Sequence, residues 1–599
     1  MKNSIIGYPR ISSQRPFIFD GAMGTYYASI CENPLSPCEL ANLYDRNTIL
    51  NIHREYINAG CQAIKTNTFA ANCISLESGI DTVKEVIQQA YNIAVEATAG
   101  TEVLIFADIG PIPVDDDTAD LWSGYREIVD VFLTLGATNF IFETFSNDDH
   151  LLEISQYIKE NQPQAYILVE FAVSPEGFTR LGKSGRKLIE NILQIPTIDA
   201  CGFNCYSGPY HLLKYIKTFN TENKTISAMP NSGYPTIINN RTFFDNTKEY
   251  FAAQMLEIAR QGVAILGGCC GTTPEFIKET VAGLKGLSYG EIVSNIQIEK
   301  THIKKTPDSN LLLEKISNGK KIIAVELDPP IDTDIDFFMD SAKSLKEQGV
   351  DAITIADCPI AKARVDSSLM ACKLKRELDI TPIPHMTCRD RNINATKALL
   401  LGLNIEGINN VLVVTGDPIP TAQRDEVKGV FSFNSAILAN YISNLNETVF
   451  SSPFHICGAL NVNARNINSQ LQHAKKKMQN GITMFLTQPI LSKQAIDNLK
   501  KAREELDVRI LGGILPIVSY KNACFINNEI SGINVAEDII ELYRDISKEE
   551  ASKLAVNIST KMAEQIYPYV DGYYIIMPFK RIDIVSEIIT NISSINNHQ

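Results

Sequence analysis

Residues 103–111 read VLIFADIGP, and the stretch 81–99 before them reads DTVKEVIQQAYNIAVEATA. The first is a near-continuous apolar run closed by Asp, Gly and Pro. The second carries apolar residues at helical spacing. A run apolar at consecutive positions suits a strand buried on both faces, as in a parallel sheet. The pair recurs outward in both directions. In the first half the companion runs are PFIFDGAMGT (16–25), CQAIKTNTF (61–69), TNFIFETFS (138–146), AYILVEFAV (165–173), IDACGFNC (198–205), TISAMPNSG (225–233) and VAILGGCCG (263–271). The second half gives eight more: KIIAVELDPP (321–330), DAITIADCP (351–359), TPIPHMTCRD (381–390), NVLVVTGDP (410–418), FHICGALNVN (454–463), ITMFLTQPI (482–490), RILGGILPI (509–517) and GYYIIMPFK (572–580).

Eight strand–helix units in each half predict an α/β chain of two consecutive (β/α)8 barrels, each close to the roughly 250 residues such a barrel needs. A pair of open, doubly wound sheets is the alternative. Residues 286–310, ending in EKTHIKKTPDSN, are polar and poor in large apolar side chains, which reads as a linker. The expected domains are therefore 1–288 and 311–599, joined by a short polar linker over 289–310.

The chain has 599 residues, 45% of them hydrophobic and 21% charged, with a net charge of −14. That balance excludes fibrous and disordered classes, and it argues against nucleic acid and anionic membranes as general partners. No signal-peptide core and no run of about 18 apolar residues occurs, so no membrane span is expected and the cytosol is the expected address. Thirteen cysteines in so long a chain do not suggest a disulfide framework. Homo-oligomerisation stays open.

Barrel sites lie at the C-terminal ends of strands. Asp20, Glu143, Cys205, Cys269, Asp417 and Gln488 all fall there in this reading. Cys205 closes one run, and Cys269 and Cys270 close another. Three thiolates satisfy a soft tetrahedral ion such as Zn²⁺ and leave one position open, and a thiol entering that position is held as thiolate. The spacing alone also suits small buried side chains, so both readings stand on the cysteines by themselves.

FDGAMGT, TNTF, FIFETFS, GFNC, MPNSGYP and GGCCGTTP occur in that order, and over residues 10–285 they resemble the homocysteine S-methyltransferase family. The resemblance implies a zinc barrel in which Cys205, Cys269 and Cys270 hold the metal and the bound thiolate of homocysteine takes a methyl group to give methionine. It makes Glu143 the candidate partner of the substrate ammonium. Asp20 would shape the same mouth, and Asn204 and Asn231 would offer polar contacts. A strand-end carboxylate can equally cap the next helix.

In the second half AVELDPP, ITIADCP, PHMTCRD, VLVVTGDP, FLTQP and GGILPI resemble the methylenetetrahydrofolate reductases over residues 311–599. This implies a barrel that holds FAD, reduced by NADH or NADPH, which converts methylenetetrahydrofolate to methyltetrahydrofolate. Glu326 matches the family's general acid, Asp417 an aspartate beside flavin and pterin, and Gln488 a glutamine on the pterin edge. Thr354, His385, Thr415, Gly416 and Lys477 are the FAD contacts carried over, and Phe525 a residue that stacks on nicotinamide or pterin. The chain departs from some relatives at Gln470, where they carry an acid, at Thr415, where they carry Arg, and in GALNVNAR, which lacks their aromatic and His.

Two other function classes compete. A zinc-thiolate binding or sensing protein would need the cysteines and no turnover. Residues 177–184, GFTRLGKS, satisfy the P-loop pattern, although Arg180 and Leu181 fill the loop and no partner strand supplies an Mg²⁺-binding Asp. The methyl donor is open among S-methylmethionine, S-adenosylmethionine, a methyl-folate and a partner's methylcobalamin, since these residues contain no D-x-H-x-x-G motif.

Overall fold

A computed structural model describes residues 16–113, 120–218, 225–238, 241–244, 246–285, 309–419, 429–431, 433–530 and 532–598. The chain divides into two compact units, 1–300 and 301–599. The proposed linker lies outside the described residues except for Ser309 and Asn310.

The first unit strings together β1 (Phe17–Ile18), β2 (Ala63–Lys65), β3 (Leu104–Ile109), β4 (Asn139–Phe145), β5 (Tyr166–Phe171), β6 (Ala200–Asn204), β7 (Ile226–Met229), a small antiparallel hairpin of β8 (Thr236–Ile238) and β9 (Arg241–Phe243), and β10 (Ile265–Leu266). The hairpin was not anticipated from the sequence. The other eight strands are hydrogen-bonded in the order β1-β10-β7-β6-β5-β4-β3-β2, all parallel. The circle is completed where Phe19 bridges Ala63, with the Gln62 N–H donating to Ile18 O at 2.7 Å and the Asp20 N–H to Ala63 O at 3.0 Å. All eight expected runs contain a strand, and open sheets are excluded.

The interior is filled by Phe17, Phe19, Phe106, Ile141, Tyr166, Leu168, Met229 and Ile265. Their partners in alternation point outward and pack under the helices. The helices, such as Arg46–Ala59 and Ile80–Thr98, bury chiefly their apolar stripe, with His53 and Thr98 as polar exceptions.

The second unit is a closed parallel barrel, β11 (Ile322–Leu327), β12 (Ala352–Ile355), β13 (Thr381–Thr387), β14 (Asn410–Val414), β15 (His455–Leu460), β16 (Ile482–Pro489), β17 (Arg509–Ile514) and β18 (Gly572–Ile576). A helix, Leu311–Ser317, precedes β11. Its N-cap Asn310 accepts from the N–H groups of Leu312 and Leu313, and its amide donates to Asn410 Oδ1 at 2.8 Å. Leu312 packs with the barrel interior beside Ile322, Ala324, Leu412 and Leu511. Every barrel strand is followed by a helix before the next barrel strand, so each unit presents its own strand C-termini at one rim.

Among the described residues no helix is long and apolar enough to cross a membrane.

Candidate active sites at the two barrel mouths

Three of the first barrel's cysteines converge. The sulfurs of Cys205, Cys269 and Cys270 lie within 4.8 Å of one another, and Cys205 Sγ is 3.7 Å from Cys270 Sγ. Local backbone explains the placement. Cys205 and Tyr206 both adopt left-handed φ (+56° and +60°), which costs an L residue about 1–2 kcal/mol each. The Cys205 N–H is tied to Met229 O at 3.0 Å, and Cys269 N–H to Pro230 O at 2.9 Å.

In GGCCG the flanking glycines are required. A Cβ on Gly268 would meet Thr272 Oγ1 at 2.4 Å. Gly271 has φ +78°, and a Cβ there would strike Phe244 and Ser232. An anionic sulfur at Cys205 accepts from the thiols of Cys269 and Cys270 and from the Asn231 amide, and is held well below the usual thiol range. The same sharing pushes Cys269 up, and Cys270 up to about 12. Such a soft, shared-charge donor set is compatible with zinc. Asn231 is buried, and its Oδ1 has no protein partner among the described residues.

Beside the sulfurs lie the carboxylates. Glu143 Oε2 is 3.0 Å from Lys65 Nζ, and both side chains are buried. Asp20 Oδ2 accepts the Lys65 backbone N–H at 2.9 Å. Burial raises Asp20 to about 7, against the opposing pull of Lys65. Asn204 is fully buried and its amide is engaged inside the protein. Oδ1 accepts the Thr144 N–H and Nδ2 donates to Thr144 Oγ1, both at 2.8 Å, with Glu143 Oε2 at 3.4 Å. Asn204 thus fixes the left-handed turn at Thr144 that aims Glu143, a positioning task more than a direct substrate contact.

Two interior acids escaped the sequence reading. Glu170 is wholly buried, neither carboxylate oxygen reaches a hydrogen-bond partner among the described residues, and burial raises it to about 8 with the Ser227 hydroxyl beside it. Asp108 is likewise raised by burial, its Oδ1 without a hydrogen-bond partner among the described residues. The available signal was alternation. Tyr166 and Leu168 face the interior, so Glu170 at the next even step does too.

The P-loop pattern is not a phosphate cradle here. The N–H groups of Gly177, Thr179, Gly182 and Gly185 are hydrogen-bonded to Ser174, Lys183, Thr179 and Gly177 carbonyls, all at 2.8–2.9 Å. Lys183 Nζ is paired with Asp148 at 3.2 Å and Asp149 at 3.5 Å. These four N–H groups and the lysine are thus committed within the protein rather than gathered around a phosphate.

In the second barrel Glu326, on β11, accepts the Tyr574 hydroxyl from β18 and stands 3.5 Å from His385 Nε2 on β13. Burial raises Glu326 to about 7. Burial lowers His385 to about 4, so the ring is neutral and its Nε2 has no hydrogen-bond partner among the described residues. Thr354 is buried on β12 next to Tyr574.

Asp417 is exposed beyond β14, its Oδ2 accepting the Ile360 N–H at 2.8 Å. Thr415 accepts the Ser435 N–H, and Gly416 has φ +94° with the Thr387 and Arg389 side chains 3.2–3.3 Å from where a Cβ would stand. Arg389, buried, reaches the Asp417 and Cys358 carbonyls and ties two rim loops together. Lys477 is not on a solvated face. Its Nζ donates to Ala459 O at 3.2 Å at the end of β15, and burial depresses its pKa. Gln488 ends β16, partly buried, and Phe525 is half exposed on the helix Tyr520–Glu529 beyond β17.

Residues 17–283 match the family model for homocysteine S-methyltransferase, and residues 311–592 match that for methylenetetrahydrofolate reductase. Similar curated proteins include the methionine synthases of Mycobacterium tuberculosis, 26% identical over 47% of this chain, and Mycobacterium leprae, 26% identical over 52%. The alignments cover 26% and 27% of those proteins, so the chain spans about a quarter of the length of these relatives. Among solved structures, the metallated homocysteine methyltransferase MmuM from Escherichia coli is 20% identical, with 45% of this chain and 96% of that chain covered and a TM-score of 0.38.

Proposed function

Because the chain belongs to the homocysteine S-methyltransferase family through its first barrel and to the methylenetetrahydrofolate reductase family through its second, we propose that it is a bifunctional enzyme. The first barrel methylates homocysteine to methionine, and the second reduces methylenetetrahydrofolate to methyltetrahydrofolate. The observation that carries the first half is the convergence of three sulfurs beside buried carboxylates. A zinc-storage or sensing site has no use for an acid–lysine lining, which favours turnover.

Cys205, Cys269 and Cys270 would hold the zinc, whose open position supplies a Lewis-acidic seat for the substrate thiol. Asn231 donates to the Cys205 sulfur and fixes its orientation. Glu143, aimed by Asn204, and Asp20 receive the substrate ammonium. Asp20, at about 7, exchanges a proton readily near neutrality.

In the second barrel Lys477 suits the pyrophosphate of FAD. A half-buried ammonium whose one hydrogen-bond partner among the described residues is a carbonyl is relieved by an incoming anion. His385 Nε2, Thr354, Thr415 and Gly416 line the same rim. FAD, when bound, supplies hydride relay from NADH or NADPH. Glu326 holds its proton at about pH 7 and delivers it to the folate nitrogen that leaves when the five-membered ring opens. Gln488 offers donor and acceptor to the pterin, and Asp417 places a fixed negative charge nearby. Phe525 is exposed enough to stack on a nicotinamide or pterin ring.

The test is a methyl-donor screen with homocysteine, run with metal analysis and a visible spectrum. Methionine formation abolished in Cys270→Ala, together with a yellow protein that reduces methylenetetrahydrofolate, is the expected result. Equal methionine formation by the variant overturns the zinc reading, and a colourless protein overturns the flavin reading.

A further inference from the structure

Lys65 closes β2 in the segment CQAIKTNTF, and its head group lies within the first barrel's mouth. It is the cation that acts on Asp20, Asp108 and Glu170 together, and the Cys269 sulfur is close enough for its charge to act on Lys65 in turn. A lysine ammonium has three donors. One goes to Glu143 Oε2 at 3.0 Å, and the other two meet no acceptor among the described residues. Unmet donors on a buried charge are costly, so these two are ready to take an incoming acceptor.

An amino acid seated by its sulfur at the cysteine cluster brings both an ammonium and a carboxylate within a few bonds of that sulfur. Glu143 and Asp20 serve the first group. Among the described residues Lys65 is the one cation acting on the carboxylates of this mouth, and it suits the second.

We propose that Lys65 is a specificity residue that anchors the α-carboxylate of the thiol substrate, swinging between Glu143 in the empty site and the substrate carboxylate in the filled one. This rests on the reading of the first barrel as a homocysteine methyltransferase and deepens it. The site selects a zwitterionic aminothiol, and the lysine–glutamate pair is its pre-set mirror image. Binding then exchanges one ion pair for two, the substrate ammonium with Glu143 and the substrate carboxylate with Lys65.

The experiment is calorimetric binding of L-homocysteine and of 3-aminopropane-1-thiol, which lacks the carboxylate, to the zinc-loaded full chain. A charge-assisted hydrogen bond predicts that the wild type prefers homocysteine by on the order of 30-fold. Lys65→Met is expected to bring the two affinities within about threefold by weakening homocysteine alone, leaving the aminothiol unchanged or tighter. Lys65→Arg is expected to retain most of the preference.

Equal weakening of both thiols by Lys65→Met overturns the proposal, because the lysine then acts only through Glu143. A wild type that binds both thiols equally overturns it without any variant, even if Lys65→Met fails to fold. A zinc-loaded wild type that binds neither thiol brings down the homocysteine reading itself, and the proposal with it.

Discussion

The Tyr574 hydroxyl on β18 donates to Oε2 of Glu326 on β11, across the strand pair that closes the second barrel. The bond favours the ionised carboxylate, while burial favours the acid and dominates, so Glu326 titrates at about 7. A general acid works only while protonated. Folate reduction should therefore fall as pH rises through about 7. Tyr574→Phe removes the stabiliser of the ionised form, raises the pKa further and should move that descending limb to higher pH. Glu326→Gln should keep the flavin absorbance and lose about 10²–10⁴ of the rate. Steady-state pH profiles of the three proteins check this, and a limb left in place by Tyr574→Phe would contradict it.

Asn231 should matter to metal retention although it is not a ligand. Its amide donates to the Cys205 sulfur. Loss of a partner that orients a ligand typically costs about 10–100-fold in metal affinity. Asn231→Ala is expected to fall in that range by competition with a chromophoric chelator, and Cys205→Ser to lose more. Identical affinities for wild type and Asn231→Ala would show that the amide leaves the sulfur unaffected.

Lys477→Met should weaken FAD binding by about 10-fold or more, the magnitude of a charge-assisted hydrogen bond, with little change in thermal stability. The half-buried ammonium is unfavourable until an anion reaches it, so its removal costs the empty protein little. Fluorescence titration of flavin-stripped protein measures it. Lys183→Ala, by contrast, should affect no nucleotide binding and should cost at most about 1 kcal/mol, since it breaks partly exposed ion pairs to Asp148 and Asp149.

The barrels were legible because strands buried on both faces must be apolar throughout, and sixteen such runs, each closed by polar or turn residues, leave few other topologies. Even the two-residue strands β1 and β10 lay within their expected runs. The sulfurs were legible by motif. Lys65 and Glu170 were not. A lysine at the end of AIK and a glutamate inside ILVEF look like edge residues, and only closure turns them inward. Asn204 was legible as important and not as a clamp, because its partner Thr144 is sixty residues away. GFTRLGKS shows the converse. A pattern can match while its glycine N–H groups and its lysine are already committed within the protein.

Glu170 gives a separate handle on the first barrel, free of metal and substrate. It is buried without a hydrogen-bond partner among the described residues, and its folded pKa of about 8 lies well above the 4.5 of an ordinary glutamate. The native state therefore holds a proton that the unfolded chain releases. That contribution is fully present below pH 4.5 and is lost as pH rises through about 8. Glu170→Gln keeps the shape and removes the titration. Its melting temperature should match wild type near pH 5 and exceed it near pH 9, where the wild type must either ionise a carboxylate in the barrel interior or hold its proton against the solvent. The remaining slope of the variant should come from Asp20, raised to about 7, and from Asp108, raised by the same cause. Parallel curves for the two proteins from pH 5 to pH 9, followed by calorimetry, would mean that Glu170 is solvated or paired in solution and that the interior acid carries no pH-dependent stability.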